Sequence, residues 1–254
     1  WGSINAPADF GGQGLPFSLA TVALDSLGAA NMAFALCPIL SVGSIEAINH
    51  HGSDAQKAMY LPKLSTGEWT GTMNLTEPQA GSDVGALKST ATPRGDGTYQ
   101  IRGTKIFISF GDHDMAGNIV HLVLARTPDA PAGTKGISLF LVPKYRVNAD
   151  GSLGERNDVA LAGLNHKMGY RGTVNTLLNF GEGRFTPNGK AGAIGYLVGE
   201  LNRGLNCMFH MMNEARIGVG LGATMLGYAG YEASLAYAKD RPQGRPMGPG
   251  GKDA

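Results

Sequence analysis

The chain has 254 residues, of which 43% are hydrophobic and 16% charged, so a disordered polyelectrolyte is excluded. Lysine and arginine number 21 and aspartate and glutamate 20, which leaves a formal net charge of +1. That balance argues against nucleic acid or an anionic membrane as the main partner. The 39 glycines and 13 prolines show no collagen repeat and predict many turns and close backbone approaches.

Compartment signals are few. The two cysteines, Cys37 and Cys207, lie far apart without metal-ligand spacing, which favours a reduced, cytoplasmic protein. No apolar run reaches the roughly 18 residues needed to span a bilayer. No signal-peptide pattern is visible near the first residue, Trp1. The first residue is not Met and the end at 249–254 is loop-like, so we expect a piece of a longer protein.

Residues 1–66 predict a partial N-terminal helical domain. Residues 17–36 are rich in alanine, leucine and methionine. Pro16 stands just before them, and proline is common at the first position of a helix. A second helix over 39–51 should end at Gly52. Ser53 begins a capping-box sequence, and the short helix that follows it should stop before Pro62.

Residues 67–185 predict a middle β-domain. Short apolar, β-branched runs occupy residues 103–109, 118–124 and 136–142, and turn clusters such as 93–97 separate them. Strands without helical crossovers predict an antiparallel, barrel-like sheet.

Residues 186–254 predict the start of a C-terminal helical bundle, which makes the fold class α+β. The helical pattern runs over 201–240, with an apolar stripe formed by Met208, Met212, Ile217, Leu221, Met225, Tyr228 and Leu235. Glycines in this helix each cost roughly 1 kcal/mol relative to alanine. We expect close packing against another helix or a ligand to compensate at Gly218, Gly220, Gly222 and Gly227.

Several motifs have ordinary explanations. Residues 218–223 match a dinucleotide-binding fingerprint, but they lie inside a helical pattern and follow no strand. His50 and His51 lie at a helix end, where interaction with the helix dipole is more common than metal binding. No metal site is predicted. The cluster Met208, Met211 and Met212 is typical of core packing.

Residues 73–84 place hydroxyls, a turn and small residues directly after a strand. Backbone N–H groups with the Thr76 and Ser82 hydroxyls could bind an anion or the edge of a polar ring. From the residues alone, a plain polar β-turn is an equally good interpretation.

The stretch 76–83, T-E-P-Q-A-G-S-D, resembles the signature of the acyl-CoA dehydrogenase family of flavoproteins. Further segments resemble family motifs in the same order, at residues 10–16, 103–109, 166–172, 213–216 and 237–241. The resemblance covers nearly the whole chain. Within the family, the segments 111–115, 151–158 and 241–245 are most similar to the bacterial 3-methylmercaptopropionyl-CoA dehydrogenase-like branch.

The resemblance implies an FAD bound between the helical domains and the β-domain. Leu75 and Thr76 correspond to contacts on the pyrimidine side of the flavin, and Gly81 and Ser82 to contacts with FAD phosphate and acyl-CoA. The resemblance also implies that Phe107 lies beside the flavin ring system and Ser109 near flavin N5 and O4. It implies that Arg241 and Gln243 contact the FAD of a neighbouring subunit. Phe107 replaces a common tryptophan and Ser109 a common threonine. Taken alone, Arg241 could equally be a charge that favours the helix dipole.

The activity implied is α,β-dehydrogenation of an acyl-CoA thioester in a homodimer or homotetramer, with electrons passed to an electron-transfer flavoprotein. Asn213 and Arg216 correspond to positions that face the substrate. In the family a glutamate removes the α-proton and the β-hydrogen leaves as hydride to flavin N5. The usual glutamate would lie beyond Ala254, and the position that a minority of relatives use corresponds to Ala215. Glu214 is one residue away, about 100° around the helix, and is the weaker candidate.

Two alternatives stay open at this level. One is a flavin-binding relative without dehydrogenase activity, such as the alkylation-response branch associated with DNA; the near-neutral charge disfavours it, and salt-sensitive DNA retention would support it. The other is a catalytically inactive fragment that serves only as a structural or oligomerisation partner, which a loss of flavin binding would support.

Overall fold

A computed structural model describes residues 2–244. It has the predicted order of helices, then strands, then a long helix. The helices are α1 (Phe17–His51), α2 (Asp54–Ser65) and α3 (Gly204–Asp240). The strands are β1 (Trp69–Asn74), β2 (Thr90–Pro93), β3 (Tyr99–Ser109), β4 (Asn118–Ala125), β5 (Ser138–Pro143), β6 (Tyr145–Val147), β7 (Leu153–Arg156), β8 (Val159–Leu164), β9 (Asn175–Phe180) and β10 (Ala193–Val198).

The first helix is interrupted at a different residue from the one predicted. Asn31 is non-helical (φ −158°, ψ 91°), and its side-chain oxygen accepts a hydrogen bond from Phe34 N at 3.1 Å. An asparagine can therefore cap a new helical segment inside α1. Pro38, where the prediction placed the break, lies within the continuous segment. The end at His51 is as predicted, although Gly52 is extended (φ −68°, ψ 152°) rather than left-handed.

The second helix begins as its sequence indicates and ends later. Ser53 Oγ accepts from Gln56 N at 3.2 Å and Gln56 Oε1 accepts from Ser53 N at 2.9 Å, which completes the capping box. The prediction that the helix stops before Pro62 is wrong, because α2 continues to Ser65. Burial of Leu61 and Leu64 in the core favours this last turn despite the proline.

The strands form one eight-stranded sheet and a separate ribbon of β6 and β7. The order in the sheet is β1-β4-β5-β10-β3-β9-β8, with β2 also paired to β3. All pairs are antiparallel except β1 and β4, which are parallel, so the sheet is mixed rather than purely antiparallel. Residues 75–117 between them give the long connection that parallel pairing requires. The sheet also extends to Val198, past the predicted boundary at residue 185, because β10 pairs with both β5 and β3.

The central strands β4 and β5 are buried on both faces. One face of β4, with Leu122 and Leu124, packs into a core shared with the three helices. The opposite face, with Val123, packs into a second core that contains Phe140 and Phe180. The sheet therefore forms a rigid platform between the helices and the outer strands β8 and β9.

Helix α3 packs against α1 through glycines, and Met208 and Met212 of the predicted apolar stripe pack in or against the core. The buried positions of α3 are Gly204, Cys207, Met208, Met211, Gly218 and Gly222. At the seam, the line of contact between α3 and α1, Gly218 and Gly222 stand in place of the larger side chains expected there. A Cβ on Gly222 would meet Met32 Sδ at 2.4 Å. Ile217 and Tyr228, assigned to the stripe, are exposed.

The expected compensation for the glycines in α3 holds at two positions. A Cβ at Gly218 would lie 3.5 Å from Ile39 Cδ1, and Gly222 lies at the contact with Gly28. At Gly220 and Gly227 a Cβ would meet nothing within 4 Å, so no other helix among the described residues packs closely there.

Among the described residues, α1 alone has the length and apolar composition of a membrane-crossing helix, with a hydropathy of 1.5. The sequence analysis expected no such segment because it required an unbroken apolar run, and polar residues such as Asp25 interrupt this one. The helix packs against β1, α2 and α3, and 39% of its most apolar window is buried in these contacts. The predictions for Trp1 and for residues 245–254 lie outside the described residues.

Candidate functional site

The segment after β1 is fastened to β3 by a buried ion pair. Glu77 accepts hydrogen bonds from Lys105 Nζ at 2.9 Å, Ser89 Oγ at 2.6 Å and Lys88 N at 2.7 Å. Lys105 Nζ also donates to the carbonyl of Leu75 at 3.2 Å. Ile106 N donates to the carbonyl of Thr76 at 2.9 Å. Residues 75–77 are thereby held against the end of β3 where Phe107 and Ser109 lie.

Burial and pairing shift the pKa values of both groups. Burial alone would raise the pKa of the Glu77 carboxyl, but Lys105 and the hydrogen bonds from Ser89 and Lys88 lower that pKa to about 2. Burial lowers the pKa of Lys105 to about 8, and the Glu77 carboxylate opposes that shift. The two groups face each other as a carboxylate and an ammonium at neutral pH.

Phe107 presents an aromatic ring at the surface from an unusual backbone. The pairing of β3 with β9 shifts register between Lys105 and Ile108, and Phe107 between them has φ +62°. Left-handed backbone is unfavourable for a bulky residue, so this bulge directs the ring outward at a cost of about 1 kcal/mol or more. The side chain is 52% exposed, and Lys167 Nζ lies 4.4 Å from the ring centroid.

Ser109 ends β3 beside this ring. Its Oγ accepts a hydrogen bond from Asn175 Nδ2 at 3.3 Å, and Asn175 is its direct partner across the strands. Asn165 Nδ2 in turn donates to Asn175 Oδ1 at 3.0 Å. The serine hydroxyl is therefore part of a chain of amide hydrogen bonds.

A cleft of about 390 Å³ begins one residue after Ser109. Phe110, Thr70 and Met115 line it from the β-domain, and Phe34 and Cys37 line it from α1. The Cys37 thiol donates to Thr173 Oγ1 at 3.4 Å, which joins α1 to the segment before β9. The cleft is mostly apolar and lies where the helical and β-domains meet, as small-molecule sites commonly do.

The predicted glycine and serine after the turn are also placed near this edge. Glu77 and Ala80 exchange backbone hydrogen bonds at 3.0 Å in both directions, which closes a tight turn. A Cβ on Gly81 would lie 3.6 Å from Thr76 Cγ2, so Gly81 packs directly beside Thr76. Ser82 follows and is exposed. Leu75, Thr76, Gly81, Ser82, Phe107 and Ser109 thus form a cluster that we call the strand-end cluster.

The residues predicted on α3 are not joined to that cluster. Asn213 and Arg216 are exposed, and the Arg216 guanidinium lies 5.4 Å from the centre of the Phe209 ring. Glu214 lines a small apolar cavity between α1 and α3, and its Oε2 is buried without a hydrogen-bond partner. Burial and, secondarily, the Glu46 carboxyl raise the pKa of Glu214 to about 7. The described structure gives none of these three side chains a hydrogen bond or ion pair to the strand-end cluster.

Arg241 and Gln243 lie at the far end of α3 and are exposed. The Arg241 guanidinium hydrogen-bonds the hydroxyl of Tyr237 on its own helix. Among residues 2–244, neither side chain makes a hydrogen bond to the strand-end cluster.

Three residues of the site were missed by the sequence analysis. Lys105 falls on the inward face of β3 with Ile101, so strict alternation along that strand could have predicted a buried lysine in need of a carboxylate. No local signal indicates that Asn175 lies against Ser109 or Lys167 against Phe107. Both contacts are set by the pairing and connection of strands far apart in sequence.

Comparison with known proteins identifies the family to which the chain is similar. The model of the acyl-CoA dehydrogenase N-terminal domain matches residues 1–68 and that of the acyl-CoA dehydrogenase middle domain matches residues 72–181. The chain is 49% identical over 254 residues to 3-methylmercaptopropionyl-CoA dehydrogenase from Ruegeria pomeroyi, covering 100% of this chain and 42% of that protein. It therefore spans less than half the length of that relative.

Two solved structures are similar over most of the chain. An acyl-CoA dehydrogenase complexed with FAD from Bacillus anthracis has a TM-score of 0.76 and 26% identity, over 94% of this chain and 37% of the other. A structure described as the electron transferring flavoprotein of Acidaminococcus fermentans has a TM-score of 0.78 and 26% identity, over 95% and 58%.

Proposed function

The chain belongs to the acyl-CoA dehydrogenase family, and from that premise we propose that it takes part in FAD-dependent α,β-dehydrogenation of an acyl-CoA thioester. The observation that carries the proposal is the strand-end cluster, which combines an exposed aromatic ring, hydroxyl groups and a tight turn, and Phe110, the residue after Ser109, lines an apolar cleft. Bound FAD would supply the hydride acceptor.

The residues of the cluster fit a flavin. The outward ring of Phe107 offers a flat apolar face for stacking, although it lacks the N–H of an indole. The Thr76 and Ser109 hydroxyls can hydrogen-bond the polar edges of a ring system. Gly81 leaves room for a backbone approach beside Thr76, and the exposed Ser82 hydroxyl suits a phosphate oxygen. We assign these residues, with Leu75, to the cofactor.

The apolar cleft supports an acyl chain as the second ligand. Phe34, Phe110 and Met115 give it apolar walls for a hydrocarbon tail, and Phe110 follows Ser109 in the chain. We assign Asn213 and Arg216 to the CoA portion by their family positions. They are exposed on α3 and thus free to contact a ligand.

The base that removes the α-proton stays unassigned within the described residues. Glu214 has a pKa near 7, which suits a general base, but its carboxyl faces the cavity between α1 and α3. We therefore keep it as the weaker candidate.

We further propose a homodimer or homotetramer in which Arg241 and Gln243 contact the FAD of a neighbouring subunit, because both are exposed at the end of α3. In mixed oligomers of wild type and Arg241→Ala, FAD occupancy should fall in the subunit whose neighbour carries the alanine, and absence of this subunit-crossing effect would count against the proposal. An electron-transfer flavoprotein is the proposed electron acceptor. The two unpaired cysteines are consistent with the bacterial cytoplasm as the proposed compartment.

The first experiment is the visible absorption spectrum of the purified chain, recorded anaerobically before and after addition of a short-chain acyl-CoA. A flavin band that bleaches supports dehydrogenation with a base inside these residues, and Glu214→Gln then tests Glu214. A band that persists supports a flavin site without its base. Absence of any flavin band refutes cofactor binding by this chain.

A further inference from the structure

The hydroxyl of Ser109 is held by an amide on the facing strand. Asn175, the first residue of β9, is 9% exposed and lies directly opposite Ser109 at the end of β3. Its Nδ2 donates to Ser109 Oγ at 3.3 Å, the one hydrogen bond that the described structure gives this hydroxyl.

The orientation of the Asn175 amide is itself fixed. Asn165 Nδ2 donates to Asn175 Oδ1 at 3.0 Å, and Asn165 N donates to the Asn175 carbonyl at 2.7 Å. With the side-chain oxygen of Asn175 engaged by Asn165, the Asn175 N–H₂ group faces Ser109.

A serine hydroxyl has one hydrogen to donate and two lone pairs to accept with. When a neighbouring amide occupies a lone pair of Ser109, the hydroxyl hydrogen must point away from that amide. The hydroxyl hydrogen is then free to be donated to an acceptor on the side of the strand-end cluster. A hydroxyl oriented before binding loses less rotational freedom on binding than a free one.

We propose that Asn175 is a positioning residue that sets the Ser109 hydroxyl as a hydrogen-bond donor toward the flavin. The inference rests on the proposed function, because it requires a flavin at the strand-end cluster. In this proposal Asn175 contacts neither the cofactor nor the substrate and acts only through Ser109.

A double-mutant cycle on FAD affinity tests this inference. Asn175→Ala and Ser109→Ala should each weaken FAD binding about tenfold, the usual effect of one hydrogen bond. The double variant should bind no more weakly than Ser109→Ala, because Asn175 has no other route to the flavin. The midpoint potential of the bound flavin should fall in both single variants, since the donated bond stabilises charge gained on reduction.

Asn179→Ala is the matched control. Asn179 lies on the same strand and accepts a hydrogen bond from the Thr104 hydroxyl at 3.0 Å, away from Ser109. It should leave FAD affinity and potential unchanged. Asn175→Asp preserves shape but replaces the donor with acceptors, so its potential and flavin spectrum should follow those of Ser109→Ala, and it serves as the test if Asn175→Ala fails to fold.

The outcomes separate the two proposals. If wild type binds FAD but the effects of the two alanine variants add, or if Asn175→Ala behaves like Asn179→Ala, the positioning role is overturned and the flavin site stands. If wild type binds no FAD, the proposed function is refuted and this inference falls with it.

Discussion

The buried pair of Glu77 and Lys105 gives the sharpest prediction about stability. Their side chains are 3% and 0% exposed, and Glu77→Gln keeps the shape of the side chain while it leaves the Lys105 ammonium buried without a counter-charge. Removal of one partner of a buried ion pair costs about 3–5 kcal/mol. We expect Glu77→Gln to lower the free energy of unfolding by that amount.

The pH dependence follows from the pKa of Glu77. Its folded value of about 2 lies below the ordinary 4.5, so the ionised Glu77 carboxylate stabilises the folded state. Because the folded pKa is lowered, this contribution is present above pH 4.5 and is lost as the pH falls toward 2. Glu77→Gln should therefore be less sensitive than wild type to acid between pH 4.5 and 2.

Urea unfolding followed by the fluorescence of the buried Trp69 measures both effects. The control is Glu68→Gln, which breaks an exposed pair with Lys63 and should cost less than about 1 kcal/mol. Combining Glu77→Gln with Lys105→Met removes both charges and should cost less than the sum of the single changes. A loss below about 1 kcal/mol for Glu77→Gln, or strict additivity in the double variant, would refute the reasoning.

Three further predictions concern backbone strain, close packing and a buried imidazole. Phe107→Gly should change the free energy of unfolding by less than about 1 kcal/mol, because it relieves a left-handed backbone and removes a half-exposed ring, yet it should weaken FAD binding in a fluorescence titration. Gly204→Ala should destabilise the fold by more than about 2 kcal/mol in urea unfolding, because its Cβ would lie 2.2 Å from the carbonyl carbon of Ser138. Gly220→Ala, where a Cβ would meet nothing within 4 Å, should instead stabilise the fold by about 0.5–1 kcal/mol. Burial lowers the pKa of His121 to about 3. As the pH falls from 6.5 toward 3, wild type should therefore lose about 1.4 kcal/mol of unfolding free energy per pH unit from this residue. His121→Gln should show a smaller dependence of the unfolding free energy on pH, and an equal dependence would contradict the lowered pKa of His121.

Features set by neighbouring residues were predicted well. The capping box at Ser53, the strand over 103–109 and the long helix ending at Asp240 depend on periodicity and on residues a few positions apart. The turn after β1 was likewise placed by its own residues. Local preference and tertiary packing agree at these points, which is why the sequence sufficed.

Features set by distant contacts were not predictable in the same way. The seam of α3 is marked by glycines because α1 approaches closely there, and hydrophobic periodicity instead selected Ile217 and Tyr228, which are exposed. Likewise, Pro62 remains in α2 because the core buries the residues around it. A proline inside a helix costs about 3 kcal/mol relative to alanine, and the burial of a few apolar side chains can outweigh that cost.

The candidate site divides along the same line. The sequence by itself determined the family, the residues of the signature turn and the strand that carries Phe107 and Ser109. Only the tertiary structure decided that Lys105 would hold the turn through Glu77 and that Asn175 would face Ser109. Hydrogen bonds and ion pairs between strands depend on register, and register is fixed by the whole sheet rather than by any one segment.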